Sequence, residues 1–132
     1  MKSAVYPVNK TDIYSRSLLA HACAWKFDKD SIVWLLDQGA DPNQHDHTAG
    51  NTPTHLYLHV KYADISVLEK FVEKNADFDR LNDAGLTPLF YAITRQNLEV
   101  VKFLLDNGAN NLMCDLSKME LSDDLKSLLS KY

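Results

Sequence analysis

Apolar side chains recur three and four residues apart in three separate stretches of the chain. Leu98, Val101, Leu104 and Leu105 form the clearest stripe; Ile65, Leu68, Phe71 and Val72 repeat it, and Ile32, Leu35 and Leu36 give a shorter version. This spacing predicts three amphipathic helices, each with one buried face. Each stretch stops at Gly39, Asn75 or Gly108, followed in every case by Ala and then by Asp41, Asp77 or Asn110. Gly and Asn tolerate the positive φ that the position just past a helix end demands. A second marker, Thr-Pro, stands at Thr52-Pro53 and again 35 residues on at Thr87-Pro88. Thr is a good N-cap, and Pro fits the first helical position because the N–H it lacks would have no partner there. Shorter helices therefore start at these points, one of them running from Pro88 to about Arg95. A third marker, Asp12, His47, Asn82 and Asp115, recurs at intervals of 35, 35 and 33 residues.

A period of this size marks stacked units. No helix pair can bury its stripe alone, so the core is a row of interfaces between neighbouring pairs. The run Asn82-Asp83-Ala84-Gly85-Leu86-Thr87-Pro88-Leu89-Phe90-Tyr91-Ala92, continued by Val101 to Asn110, closely resembles the ankyrin repeat. Gly39-Ala40-Asp41-Pro42-Asn43 and Gly50-Asn51-Thr52-Pro53-Thr54-His55 resemble it too. The resemblance implies an all-α solenoid of helix-turn-helix units joined by hairpin loops. One domain, 1–132, is expected: an extension over 1–11, units at 12–46, 47–81 and 82–114, and a capping helix within 115–132. Ser122 reads as the N-cap of that last helix, with Leu125, Leu128 and Leu129 turned to the final unit.

Four departures from the pattern stand out. One extra residue falls between the helices of the first unit, near 25–30, two in the middle unit, near 59–63, and one before Gly50. Tyr57 stands where the family usually has a small Ala. Local widening or a longer first helix is expected at these places.

Composition narrows the setting. The 132 residues are 45% hydrophobic and carry a formal net charge of -4 with no Lys/Arg run, so neither nucleic acid nor an anionic membrane is the expected partner. No apolar run approaches the roughly 20 residues of a membrane span, and Met1 to Lys10 is too polar for an export signal. Cys23 and Cys114, 91 positions apart, read as reduced thiols of a cytoplasmic protein.

The residues offer little for catalysis. His45, His47, His55 and His59 form the alternative, a metal-dependent or catalytic centre, with His55 and His59 four apart on one helix. Against it, His55 occupies the place after Thr-Pro where the family's imidazole ties adjacent loops together. His21 and Cys23, near Asp12 and Asp28, have no oxyanion site beside them, and Cys23 in a packed helix reads as a small hydrophobe. Asn43 reads as a loop-bridging amide. Neither a cofactor, a metal site nor an enzymatic activity is expected.

The resemblance instead implies a non-enzymatic protein-protein interaction module that binds a partner through its concave face, as a small adaptor or inhibitor, of an immunity or effector type. The variable positions of that face fall on Ile13, Tyr14, Arg16, Ala24 and Trp25, then Thr48, Ala49, Asn51, His59 and Val60, then Asp83, Ala84, Leu86, Thr94 and Arg95. The partner-binding residues chosen from these are Tyr14, Arg16, Trp25, Asn51, His59, Asp83, Leu86 and Arg95, with the Trp, Tyr and Arg members weighted most because those types dominate interface hot spots. A monomer is expected. Trp34 and Phe103, one position before the paired apolar residues of their helices, mark a second contact surface, a dimer contact or packing between second helices, the last being the favoured reading.

Overall fold

The computed structural model describes residues 7–25, 27–59, 63–111 and 114–132, so Val60 lies outside the described residues. Their helices are α1 (Leu18–Ala24), α2 (Lys29–Asp37), α3 (Pro53–His59), α4 (Ile65–Glu73), α5 (Pro88–Thr94), α6 (Leu98–Asp106) and α7 (Asp123–Leu129). The short helices form one layer, with α3 packed between α1 and α5; α2 packs on α1 and α4, α6 on α5, and α7 closes onto α6.

Caps set the helix starts. The hydroxyls of Ser17, Thr52 and Thr87 accept hydrogen bonds from the backbone N–H of Ala20, His55 and Phe90 at 3.1, 3.2 and 3.0 Å. Ser17 thus does in the first unit what Thr does in the other two. Asp28, Asp64 and Asn97 cap α2, α4 and α6 in the same way. The three stops adopt left-handed backbone, with φ of +93° at Gly39, +62° at Asn75 and +94° at Gly108.

The stripes differ from expectation at their leading edges. Leu98 is exposed and Ile65 only partly buried, because each directly follows its N-cap and the first helical position points off the packed face. Two turn-positions later the chain buries Val67 and Val100, which the spacing rule passed over. Leu68, Phe71, Val101, Leu104 and Leu105 are buried as expected, while Val72 is partly so.

The hairpin marker also needs correction. The carboxylate of Asp12 accepts from the N–H groups of Tyr14 and Arg16, and the Asn82 side chain accepts from those of Ala84 and Leu86. In the middle hairpin that role belongs to Asp46, which accepts from Thr48 and Ala49, and not to His47. Asp46 N–H reaches the carbonyl of Asn51, five residues on, whereas Asp12 and Asn82 reach Arg16 and Leu86, four on. The residue added before Gly50 therefore lies inside this hairpin.

The other insertion resolved by the structure lengthens a turn. Both α1 and α5 have seven residues, but four residues separate α1 from α2 and three separate α5 from α6. In the middle unit residues 60–62 lie outside the described residues. Tyr57 is buried, stacks on Phe71 at 5.3 Å, and its hydroxyl accepts the N–H of Asp64, the α4 N-cap, at 2.9 Å. Its extra length is taken up by reaching the far side of that longer connection. Burial pushes its phenol pKa up to about 12.

At the C-terminal end, Leu125 and Leu129 of α7 are buried and Leu128 partly so. Ser122 caps the helix through Leu125 N–H, and Asp123 and Asp124 sit in its first turn, where the positive end of the helix dipole favours them.

Candidate functional site

Two ladders of hydrogen bonds hold the units in register and so fix the face that the hairpins present. At the tips, His47 N–H bonds the Tyr14 carbonyl and Asp83 N–H bonds the Ala49 carbonyl, both at 2.9 Å. Gly50 makes the second contact possible. Its φ is +68°, and a Cβ there would come within 2.9 Å of the Asp83 backbone nitrogen.

At the opposite corner, Asn43 accepts from Asp77 N–H at 2.7 Å and donates to the Asn75 carbonyl at 2.9 Å. This is the bridging role expected of it. Asn9, which the sequence reading passed over, does the same one unit earlier, accepting from Asp41 N–H and donating to the Gly39 carbonyl. Its signal was available, since it stands 34 residues before Asn43. Asp79 takes the third rung and accepts from Asn110 N–H at 2.8 Å. Partial burial raises its carboxyl pKa, against the lowering by that N–H, and Asp77 adds to the rise.

The four imidazoles of the alternative reading go to separate partners. His55 is buried; its Nδ1 accepts from Thr52 N–H at 3.1 Å, so Nε2–H donates to the Leu86 carbonyl at 2.9 Å in the next hairpin. Burial is the main cause that lowers its pKa, and the neutral ring is what fits between these partners. His45 reaches the Leu81 carbonyl, His47 bonds Ser15, and the His59 ring meets Tyr91 edge-on at 4.9 Å. Among the described residues no group of three or more His, Cys, Asp or Glu side chains is placed to hold a metal ion. Cys23 is buried and Cys114 half-buried, and desolvation pushes both thiols up, away from the nucleophilic thiolate.

The chosen partner-binding residues separate into two groups. Arg16, Trp25 and Asn51 line a cleft of about 190 Å³ between α1, α3 and the second hairpin, and Tyr14 joins them only through its contact with Arg16. Ala20, Ala24 and Leu56 make its apolar floor. Arg16 lies 5.7 Å above the Tyr14 ring and donates to the Thr48 hydroxyl, while Trp25 is 72% exposed at the rim. His21 lines the cleft as well and pairs with Asp12 at 2.9 Å. The Asp12 carboxyl is held below its usual range first by the Arg16 backbone N–H and also by His21. Leu56 and His21 were missed, although 21, 56 and 91 keep the 35-residue period along the exposed side of the first helices.

The second group is engaged within the protein. Arg95 donates from Nε at 3.0 Å and from Nη2 to the carbonyl of His59, at the end of α3 in the preceding unit. Asp83 closes over Gly50, and Leu86 is half-buried with its carbonyl given to His55. Asn51 is shared between the groups, since its Oδ1 accepts from Asn82.

Helix pairs stacked in register, with hairpin tips and short helices forming one face, define a repeat scaffold built for recognition. The chain belongs to the ankyrin repeat family: residues 19–115 match ankyrin repeats in three copies. Ankyrin repeats are generally protein-protein interaction modules. Over 110 residues the chain is 33% identical to ankyrin repeat protein OPG189 of variola virus, covering 78% of this chain and 19% of the viral protein. It is 40% identical over 89 residues to the mitochondrial disaggregase of Bos taurus, covering 63% of this chain and 12% of that one. Against SH3 and multiple ankyrin repeat domains protein 2 of Homo sapiens it is 32% identical over 81 residues, 61% of this chain and 4% of the relative. The chain thus spans less than a fifth of the length of these relatives.

Among the described residues no helix is long and apolar enough to cross a membrane.

Proposed function

We propose that this chain is a non-enzymatic interaction module of the cytoplasm, acting as an adaptor or inhibitor that grips a partner protein in the cleft between α1 and α3. The observation that carries this reading is that the exposed Trp25 and Arg16, the latter over the Tyr14 ring, share a cleft with the apolar Ala20, Ala24 and Leu56. An aromatic and guanidinium cluster around a small pocket is the composition of an interface hot spot. Its members stand on helices and capped hairpins that neighbouring units already hold, so binding orders few side chains and retains most of its contact energy. The pocket accepts about one large side chain. Arg16, stacked on Tyr14 and with guanidinium donors beyond the one given to Thr48, supplies orientation.

Arg95 takes a different role in this reading from the one its residue type first suggested. With its donors on the His59 carbonyl it holds the end of α3, and so the far wall of the recognition face.

The test is a binding isotherm for a partner captured by the wild-type chain. Trp25→Ala with Arg16→Ala should weaken binding by roughly 30- to 1000-fold, at about 1–2 kcal/mol for each hot-spot side chain, while the melting temperature stays put. Undiminished affinity in the double variant would move the binding surface elsewhere.

A further inference from the structure

We infer that the outer face of the first unit is an inter-unit interface, and that a second copy of this chain fills it head to head, each copy seating its Trp34 in the other's groove. The argument begins with register. Asp28, Asp64 and Asn97 are equivalent N-caps, so Ser31, Val67 and Val100 occupy one position in the three second helices, and Trp34, Lys70 and Phe103 another. In the two inner units that row faces a neighbour. Val67 and Val100 are buried, Phe103 is partly buried, and Lys70 reaches back to Asp37 of the preceding second helix at 2.9 Å.

In the first unit the same row is bare among the described residues. Trp34 is 56% exposed, with Leu18 at 51% and Phe27 at 47% beside it. Together with Asp30, Ser31 and Leu35 they line an open groove of about 390 Å³. This face continues the interfaces that run through the rest of the stack, and it calls for an apolar occupant of the same kind.

Two features select a second copy. The other end of the stack is closed by α7, with Leu125 and Leu129 turned inward, so head-to-tail stacking finds no bare face to meet. A two-fold head-to-head pairing needs only one face that is complementary to itself, and this one carries both a knob and a hole. The hole also suits this knob. Ser31 places a hydroxyl where the two following units have Val67 and Val100, Asp30 adds a carboxylate to the lining, and a buried indole N–H requires an acceptor. Phe103 is partly buried in its own unit, so the dimer contact we infer rests on Trp34 alone.

A patch of this size lies at the small end of interfaces, so association should fall at roughly tens to hundreds of micromolar. The experiment uses the full chain carrying Trp25→Phe, which leaves Trp34 as the sole indole. Sedimentation velocity and Trp emission are followed from micromolar to about millimolar protein. The expected result is a monomer that converts to dimer with a parallel blue shift, and a monomer throughout in Trp34→Lys, which copies the Lys70 position. Leu18→Glu, at another residue lining the groove, should also abolish dimerisation and covers the event that Trp34→Lys fails to fold. A monomer at millimolar concentration, a dimer that survives both substitutions, or a monomer already blue-shifted when dilute would each overturn the proposal. The last of these would mean that the chain covers the face with its own residues.

Discussion

The two ends of the stack solve the same problem differently. Every repeat presents an apolar side to its neighbour, and a terminal repeat must do something with the side that has none. At the C-terminal end, α7 lays Leu125 and Leu129 on the last full unit and is stitched down by polar contacts. Asn111 donates to the Leu129 carbonyl, Gln96 both donates to the Glu120 carbonyl and accepts from Ser122 N–H, and the Tyr132 hydroxyl donates to Asp106. At the other end, the Asn9 rung and the pairing of Thr11 with Ser17 hold the chain to the first unit but leave Leu18, Phe27 and Trp34 open. The lesson is that sealing a repeat takes apolar coverage; hydrogen bonds at the corner fix register without covering anything.

The largest expected effect tests that contrast directly. Leu125→Ala removes a fully buried side chain from the cap and should cost about 3 kcal/mol, a fall in melting temperature of roughly 10 °C. Trp34→Ala, measured in dilute protein, should change stability by less than about 0.5 kcal/mol because the side chain stands in solvent. Hydrogen exchange sharpens the point: amides of α6 should open faster in Leu125→Ala while those of α1 keep their protection. Equal losses for both substitutions would show that the two ends are sealed alike.

The next effect lies between the ends. His55→Ala removes a bridge from α3 to the Leu86 carbonyl and should cost about 2 kcal/mol. The wild-type imidazole also gives a pH dependence whose sign follows from its lowered pKa. Below about 6.5, the ordinary value, the unfolded chain takes up a proton that the folded ring resists, so stability falls as pH drops through that value and on toward the folded pKa. Protonation would put a hydrogen on Nδ1, where Thr52 N–H already donates. Chemical denaturation between pH 7.5 and 5 checks this, and the slope should shrink in His55→Ala.

Much of this arrangement was legible in the sequence. Thr-Pro, the Gly or Asn stops and the apolar stripes are local signals, each sufficient to place a cap or a helix end. What the sequence hid depends on contacts between units. The hairpin of the middle unit holds Asp46 and His47 side by side, and only the bonding pattern shows that Asp46 is the acceptor that matches Asp12 and Asn82. Arg95 looked like a free hot-spot residue because its carbonyl partner lies 36 residues away, across the longer α3–α4 connection. Leu98 and Val100 exchanged roles because spacing alone does not give the phase of the stripe, and in α6 the first position lies off the packed face.

The smallest effect compares the corner ladder at its two ends. Asn9 and Asn43 each accept an N–H and donate to a carbonyl, whereas Asp79 only accepts when ionised. Asn9→Ala should cost about 1 kcal/mol, two exposed hydrogen bonds being worth little more. Asp79→Asn should do the reverse, stabilising the protein at pH 7 by about 0.5–1 kcal/mol after allowance for solvent screening. An amide at position 79 would donate to the Gly108 carbonyl, the register equivalent of Asn75, and would carry no charge into a partly buried corner beside Asp77. The sign in pH follows. The folded pKa of Asp79 is raised, so the folded chain holds its proton more tightly than the unfolded one. Stability from this group is greatest in acid and is lost as pH rises from the ordinary carboxyl value of 3.8 through the raised one. The gain from Asp79→Asn should therefore be larger at pH 7 than at pH 3. A gain that does not change with pH would assign it to the new hydrogen bond alone, and a loss at both would show that the carboxylate is the better rung at this end of the ladder.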